Sequence, residues 1–278
     1  MHSFDFMRLL QDPAAWLIFL TGCLFGSFFN VCIYRIPREM FWKKTRSHCP
    51  NCDAPIPWWH NIPVLSWLYL RGKAACCGTR ISIQYPLVEL GTGVLWVIVY
   101  ACFPFLTFEA GRWAIETNET LRFAHALVFA SVLLICSVID FEHQIIPDVL
   151  SLPLIALSPL VAAFHPELDL KSSIIGIFLG GGIFYAVAWI YFLVRKEYGL
   201  GLGDVKLLAG IGGWLGYQSV LTTIFWASLL GSIVGVGAIL ITRSRNLKLK
   251  LPFGPFLSIA AVLYLLFGTF FSNYIISF

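Results

Sequence analysis

Eight apolar runs, at about 14–34, 86–105, 121–139, 149–164, 174–194, 205–217, 219–242 and 253–276, constrain this chain more than any other feature. Runs of about 20 apolar residues match the hydrocarbon thickness of a bilayer, and a backbone in lipid must satisfy its own hydrogen bonds. That leaves the α-helix for each run. Charged residues make up only 12% of the 278, against about 25% in ordinary soluble domains, and mean hydropathy is +0.79. The expected fold class is therefore all-α: a polytopic membrane protein with about eight transmembrane helices. The run at 205–217 is too short to cross a bilayer unaided. The first run lacks a short apolar core followed by a small-residue cleavage site, so it reads as a retained span. The expected organisation is a first transmembrane helix at 1–34, a hydrophilic cysteine-containing loop domain at 35–85, and a transmembrane core at 86–278.

Orientation follows from the basic residues. With eight crossings, fifteen of the 19 Lys and Arg residues fall on one side, in the loops holding Arg35 to Arg80, Arg195 to Lys206, and Arg243 to Lys250. The positive-inside rule then puts the large loop in the cytoplasm and both termini outside. A net charge of +4 spread this way does not suggest a nucleic-acid binder. The partner implied by composition is the lipid bilayer.

Two aspartates stand at ends of apolar runs on that same side. The stretch Gly199-Leu200-Gly201-Leu202-Gly203-Asp204-Val205-Lys206 carries three glycines at alternate positions, each costing about 1 kcal/mol in a helix interior. It is expected to break the preceding helix and deliver Asp204 to the mouth of the next run. Asp204 also reads as an ordinary N-cap of a helix beginning at Val205. Asp140 closes the third run, where a helix C-terminus disfavours negative charge, so capping does not explain it. Asp148, after Pro147, reads as the N-cap of the fourth run. If Asp140 and Asp204 meet, they share one proton, and such a pair can activate water and polarise a peptide carbonyl. That is the constellation of an aspartic protease. Two interfacial caps that never meet, or the intramembrane acids of a proton-coupled transporter, are the competing readings.

The ordered motifs Gly26-Ser27-Phe28-Phe29-Asn30-Val31-Cys32-Ile33-Tyr34-Arg35-Ile36-Pro37, Cys49-Pro50-Asn51-Cys52, Asn61-Ile62-Pro63-Val64-Leu65-Ser66-Trp67, Tyr85-Pro86-Leu87-Val88-Glu89-Leu90, Asp140 with Ile146-Pro147-Asp148, Gly201-Leu202-Gly203-Asp204-Val205-Lys206 and Pro252-Phe253-Gly254-Pro255 span almost the whole chain. This set resembles the type IV prepilin peptidase family of bacterial membrane aspartic proteases. The resemblance implies a bifunctional enzyme of the inner membrane, with its active site facing the cytoplasm. It would cut the basic leader from type IV prepilins or pseudopilins and methylate the new N-terminus with S-adenosylmethionine. By motif position the catalytic pair falls on Asp140 and Asp204. Gly201 and Gly203 would leave room for an extended scissile segment. Lys206 would hold leader-side carbonyls or bias the pair's protonation, or else only snorkel to headgroups.

Four cysteines lie inside apolar runs and read as packing residues: Cys23, Cys32, Cys102 and Cys136. The other four share the polar loop. Cys49-x-x-Cys52 is half of a structural zinc site. The family's second pair also has two intervening residues, but here Ala74 stands at its first position, Cys77 at its second, and Cys76 is an extra thiol. Three readings stay open: Cys76 is the fourth ligand, His48 or His60 completes the site, or no metal binds. A disulfide is disfavoured in a reducing compartment. The loop's Trp42, Trp58, Trp59 and Trp67 read as headgroup-level anchors. No glycine-rich nucleotide fingerprint occurs in it, and a peptidase without methylation stays open. Glu89 reads as the partner of a nearby Arg or Lys.

Overall fold

The computed structural model describes residues 6–41, 47–49, 51–109, 112–197, 201–242 and 251–275. Trp42, Pro50, Gly199, Leu200 and the basic residues at 43–46 and 243–250 lie outside the described residues. All eight apolar runs are helices, and the chain is an all-α polytopic membrane protein. Among the described residues, five helices are long and apolar enough to cross a membrane, fewer than the eight spans expected from the sequence. The chain divides into two compact units, Met1–Phe123 and Ala124–Phe278.

The first unit is built on a helix pair. Helix α1 (Phe6–Gln11) leads into α2 (Pro13–Arg35), whose N-cap Asp12 accepts from the Ala14 N–H at 2.9 Å. Pro13 occupies the first helical position, where no donor is needed. The second oxygen of Asp12 accepts from the Tyr100 hydroxyl at 2.9 Å, tying α2 to the far end of α4 (Gln84–Cys102). The two backbones nearly touch, because a Cβ on Gly22 would lie 2.8 Å from Gly93 Cα and one on Gly26 2.7 Å from Glu89 Cα. Small residues permit such contact between helices in lipid. Asn30 adds a hydrogen bond to the Tyr85 carbonyl at 3.0 Å. Between α2 and α4 the described part of the hydrophilic loop holds a 3-10 turn (Trp58–Asn61) and the short helix α3 (Leu65–Tyr69). After α4 an antiparallel hairpin pairs β1 (Leu106–Glu109) with β2 (Arg112–Ile115), with Leu106 opposite Ile115. The sequence reading assigned no element there, since four-residue strands carry too little periodicity to register.

The second unit surrounds a short inner helix. Helix α5 (Thr117–His143) is followed by α6 (Asp148–Phe164), α7 (Leu170–Arg195), α8 (Leu202–Leu215), α9 (Gln218–Thr242) and α10 (Gly254–Ile275). Every residue from Leu207 to Trp214 is buried, and a 14-residue apolar helix of this kind is a core helix. Around it, Phe129, Leu133 and Cys136 of α5 and Leu257 and Ala261 of α10 are fully buried. Helix α7 reaches α8 at backbone distance: a Cβ on Gly176 would collide with the Gly212 carbonyl, and Ser173 Oγ donates to the Gly213 carbonyl at 2.7 Å. Trp214 Nε1 donates to the Leu154 carbonyl of α6 at 2.6 Å. By contrast α7 and α9 bury only 11% and 6% of their apolar windows inside the protein. Their remaining apolar surface is what a membrane would cover.

Candidate active site and cysteine centre

Helix α5 continues one turn beyond the third apolar run, so Asp140 sits inside its last turn rather than after its end. The residue is only 5% exposed, and Oδ2 accepts from the backbone N–H of Gly254 at 2.9 Å. Gly254 opens α10, and a Cβ there would stand 2.7 Å from that same oxygen. Gly254 belongs to the Pro252-Phe253-Gly254-Pro255 motif, which by itself points to no such contact. Nothing in a Gly-Pro dipeptide announces an acceptor 114 residues away.

Asp204 is not an N-cap. Helix α8 starts at Leu202 with Gly201 as its cap, which places Asp204 in the first turn, where the helix dipole favours an acid. The start is earlier than Val205 because the first-turn N–H groups need no intrahelical acceptor, so glycine costs little there. Gly203 turns its bare face to Ile146, where a Cβ would lie 3.0 Å from the isoleucine Cβ, while Gly201 is exposed. Asp140 and Asp204 stand close enough for the charge of Asp140 to act on Asp204.

The segment after α5 is pinned to the same end of α8. Asp148 is the first residue of α6, not its cap, and accepts from Lys206 Nζ at 2.6 Å. The motif Ile146-Pro147-Asp148 thus meets Gly203 and Lys206 directly, through one apolar and one ionic contact. The Lys206 ammonium is engaged with the Asp148 carboxylate.

In the loop, Cys49, Cys52, Cys76 and Cys77 bring their sulfurs within 4.8 Å of one another. Sγ–Sγ distances are 3.7 Å for Cys49 and Cys77, 3.3 Å for Cys52 and Cys76, and 3.8 Å for Cys76 and Cys77. Tetrahedral zinc with Zn–S near 2.3 Å puts sulfurs about 3.8 Å apart, so the four fit such an ion. Cys76, rather than His48 or His60, stands with the other three cysteines. His48 instead lies 3.7 Å from Asp53, and His60 stacks edge-on to Trp59. The turn at 74–79 explains how adjacent cysteines reach one centre. Its backbone is closed by Ala74 N–H to Thr79 O and Gly78 N–H to Ala74 O, both 2.8 Å, with Gly78 at φ +69°. The Thr79 hydroxyl and N–H, then the Asn51 amide, hold the Cys77 thiol down at about 6. Hydrogen bonding to Cys52 pushes Cys76 up to about 12.

Glu89, 8% exposed, accepts from the Val64 N–H at 2.7 Å and from the Ser27 hydroxyl.

The sequence of the first unit matches the family model of the bacterial peptidase A24 N-terminal domain over residues 20–103, and that of the second unit matches the type IV leader peptidase family over residues 127–236. Among similar proteins, a prepilin leader peptidase/N-methyltransferase of Dichelobacter nodosus is 36% identical across 94% of both chains. One of Aeromonas hydrophila is 36% identical over 91% of this chain and 90% of its own. One of Klebsiella pneumoniae is 37% identical over 78% of this chain and 93% of its own. No solved structure matches. With relatives at this identity covering nearly its whole length, the chain belongs to the type IV leader peptidase family.

Proposed function

We propose that this protein is a membrane aspartic endopeptidase of the bacterial inner membrane. It removes the basic leader from type IV prepilins or pseudopilins at the cytoplasmic face and N-methylates the new N-terminus. The reading is carried by the coupling of Asp140 and Asp204 at one end of the second unit, with one Asp140 oxygen held by the Gly254 N–H. Two carboxylates that meet share a proton. The ionised member takes a proton from water as it attacks the scissile carbonyl; the protonated member donates to the carbonyl oxygen. The Gly254 N–H holds Asp140 Oδ2, which leaves Oδ1 for water or substrate. Gly201, exposed at the start of α8, leaves room for an extended scissile segment, whereas Gly203 and Lys206 hold that end of α8 on the Ile146 to Asp148 segment.

The cytoplasmic assignment rests on the eight Lys and Arg residues of the 35–85 loop, from Arg35 to Arg80. S-adenosylmethionine, when bound, would supply the methyl group that the new N-terminal amine takes up. Zinc held by Cys49, Cys52, Cys76 and Cys77 would serve as a structural pin for the loop.

The test is mass spectrometry of a prepilin-like peptide incubated with the purified full chain, Asp140→Asn or Asp204→Asn. Cleavage by the wild type, abolished by either substitution with folding intact, is the expected result. Cleavage surviving both changes sinks the aspartic mechanism. A wild type that cleaves nothing but moves protons across vesicles would favour the transporter reading.

A further inference from the structure

The two halves of the cysteine centre are one turn used twice. In the first, the Cys49 N–H bonds the Ala54 carbonyl and the Asp53 N–H bonds the Cys49 carbonyl, both at 2.9 Å, with Asp53 at φ +55°. In the second, Ala74, Gly78 and Thr79 take the places of Cys49, Asp53 and Ala54 in the same pair of bonds. The match sets Cys52 against Cys77, but Cys49 against Ala74 and Asn51 against Cys76. The second turn therefore lacks a sulfur at its first position and offers one at its third.

That exchange has a mechanical consequence. In a Cys-x-x-Cys turn the two residues between the ligands set the angle at which the sulfurs point. Cys76 and Cys77 are neighbours, with nothing between them to do so, and Cys77 has to be fixed from outside. Asn51 Nδ2 lies 2.9 Å from Thr79 Oγ1 and 3.7 Å from Cys77 Sγ, and Thr79 Oγ1 lies 3.2 Å from the same sulfur. The Thr79 N–H reaches it as well. A metal-bound thiolate only accepts, so the groups facing it are donors: Asn51 gives an N–H to Thr79 Oγ1, and the Thr79 hydroxyl gives its hydrogen to Cys77. Asn51 stands between Cys49 and Cys52 in the chain, so these bonds cross from one turn to the other. Both residues are exposed, and burial does not account for the contact.

We propose that Asn51 and Thr79 are positioning residues of the metal centre, a brace that fixes Cys77 in a turn whose first position, Ala74, supplies no ligand. The inference rests on the zinc reading above and goes beyond its ligand set. Four thiolates on a dication leave negative charge in excess, and donors aimed at one sulfur offset part of it. The brace gives the second turn the definition that regular ligand spacing gives the first.

The experiment adds cobalt(II), a tetrahedral stand-in for zinc, to the metal-free full chain in detergent, and reads the thiolate-to-metal absorption band and chelator competition. Thr79→Val and Asn51→Ala should each bind roughly 10- to 100-fold more weakly, and the double variant should lose little beyond either single one. Without its donors the sulfur's lone pairs rise in energy, so the band of Thr79→Val should move to longer wavelength. Thr79→Ser keeps the hydroxyl and should match the wild type in both readouts. Wild-type affinity and band position in Thr79→Val would overturn the brace and leave the metal site standing. An equal loss in Thr79→Ser would do the same, by making side-chain shape rather than the hydroxyl the cause. Both positions are exposed, so the metal-free variants should melt as the wild type does, and an earlier transition would reduce the role to a structural one and overturn the brace too. A wild type that takes up no cobalt ends the metal site and the brace together.

Discussion

Lys206 Nζ stands 2.6 Å from Asp148 Oδ1, joining the first turn of α8 to the first residue of α6. The side chains are 34% and 57% exposed, so the pair is worth about 0.2 to 1 kcal/mol. Lys206→Met and Asp148→Asn should each lower the melting temperature by only about 1 to 4 °C. Their effects on cleavage should match and should not add in the double variant. A far larger loss with Lys206→Met than with Asp148→Asn would return Lys206 to substrate contact.

Gly254→Ala places a methyl group 2.7 Å from Asp140 Oδ2. The carboxylate must rotate away, and kcat for peptide cleavage should fall at least about 100-fold, as misplacement near 1 Å can do. Gly182→Ala on α7, where nothing lies within 4 Å of the new carbon, should cleave at the wild-type rate. Equal rates for both variants would remove Gly254 from the site.

Zinc content separates the ligand sets. Cys76→Ser should lose metal as fully as Cys49→Ser, measured by elemental analysis, whereas His48→Ala and His60→Ala should retain it. Retention by Cys76→Ser would sink the four-cysteine centre.

Metal affinity should rise with pH. Cys77, held down at about 6, is already thiolate near neutrality, but Cys76, pushed up to about 12, must release its proton when it ligates. Binding therefore expels protons and weakens as they become abundant. Chelator competition at pH 6 and pH 8 should find tighter binding at pH 8, and an unchanged affinity would contradict these protonation states.

Gly212→Ala tests the α7–α8 contact. The added carbon would collide with the Gly176 carbonyl, and overpacking of this kind costs about 1 to 3 kcal/mol. Thermal unfolding should shift down accordingly, with cleavage lost in parallel as α8 moves.

Much of this was legible in the sequence, for physical reasons. Long apolar runs left the helix as the only spanning solution, and an aspartate at a helix C-terminus had no capping excuse, which isolated Asp140. The glycine run did mark a break before α8, although the helix began three residues before Val205 because the first turn tolerates Leu202 and Gly203. What stayed hidden depended on distant backbone. The Gly254 N–H, the Val64 N–H and the turn that carries Cys76 beside Cys77 are placed by tertiary structure, and no local pattern encodes them.

The opening of α10 has one more consequence. In lipid the first N–H groups of a helix have no water to turn to, and the one on Gly254 is satisfied by Asp140. The aspartate is thus a cap supplied in trans, closing the end of a helix to which it does not belong. Chemistry and architecture draw on one oxygen atom, so replacing the acid with an apolar residue would leave a stranded donor as well as an idle site.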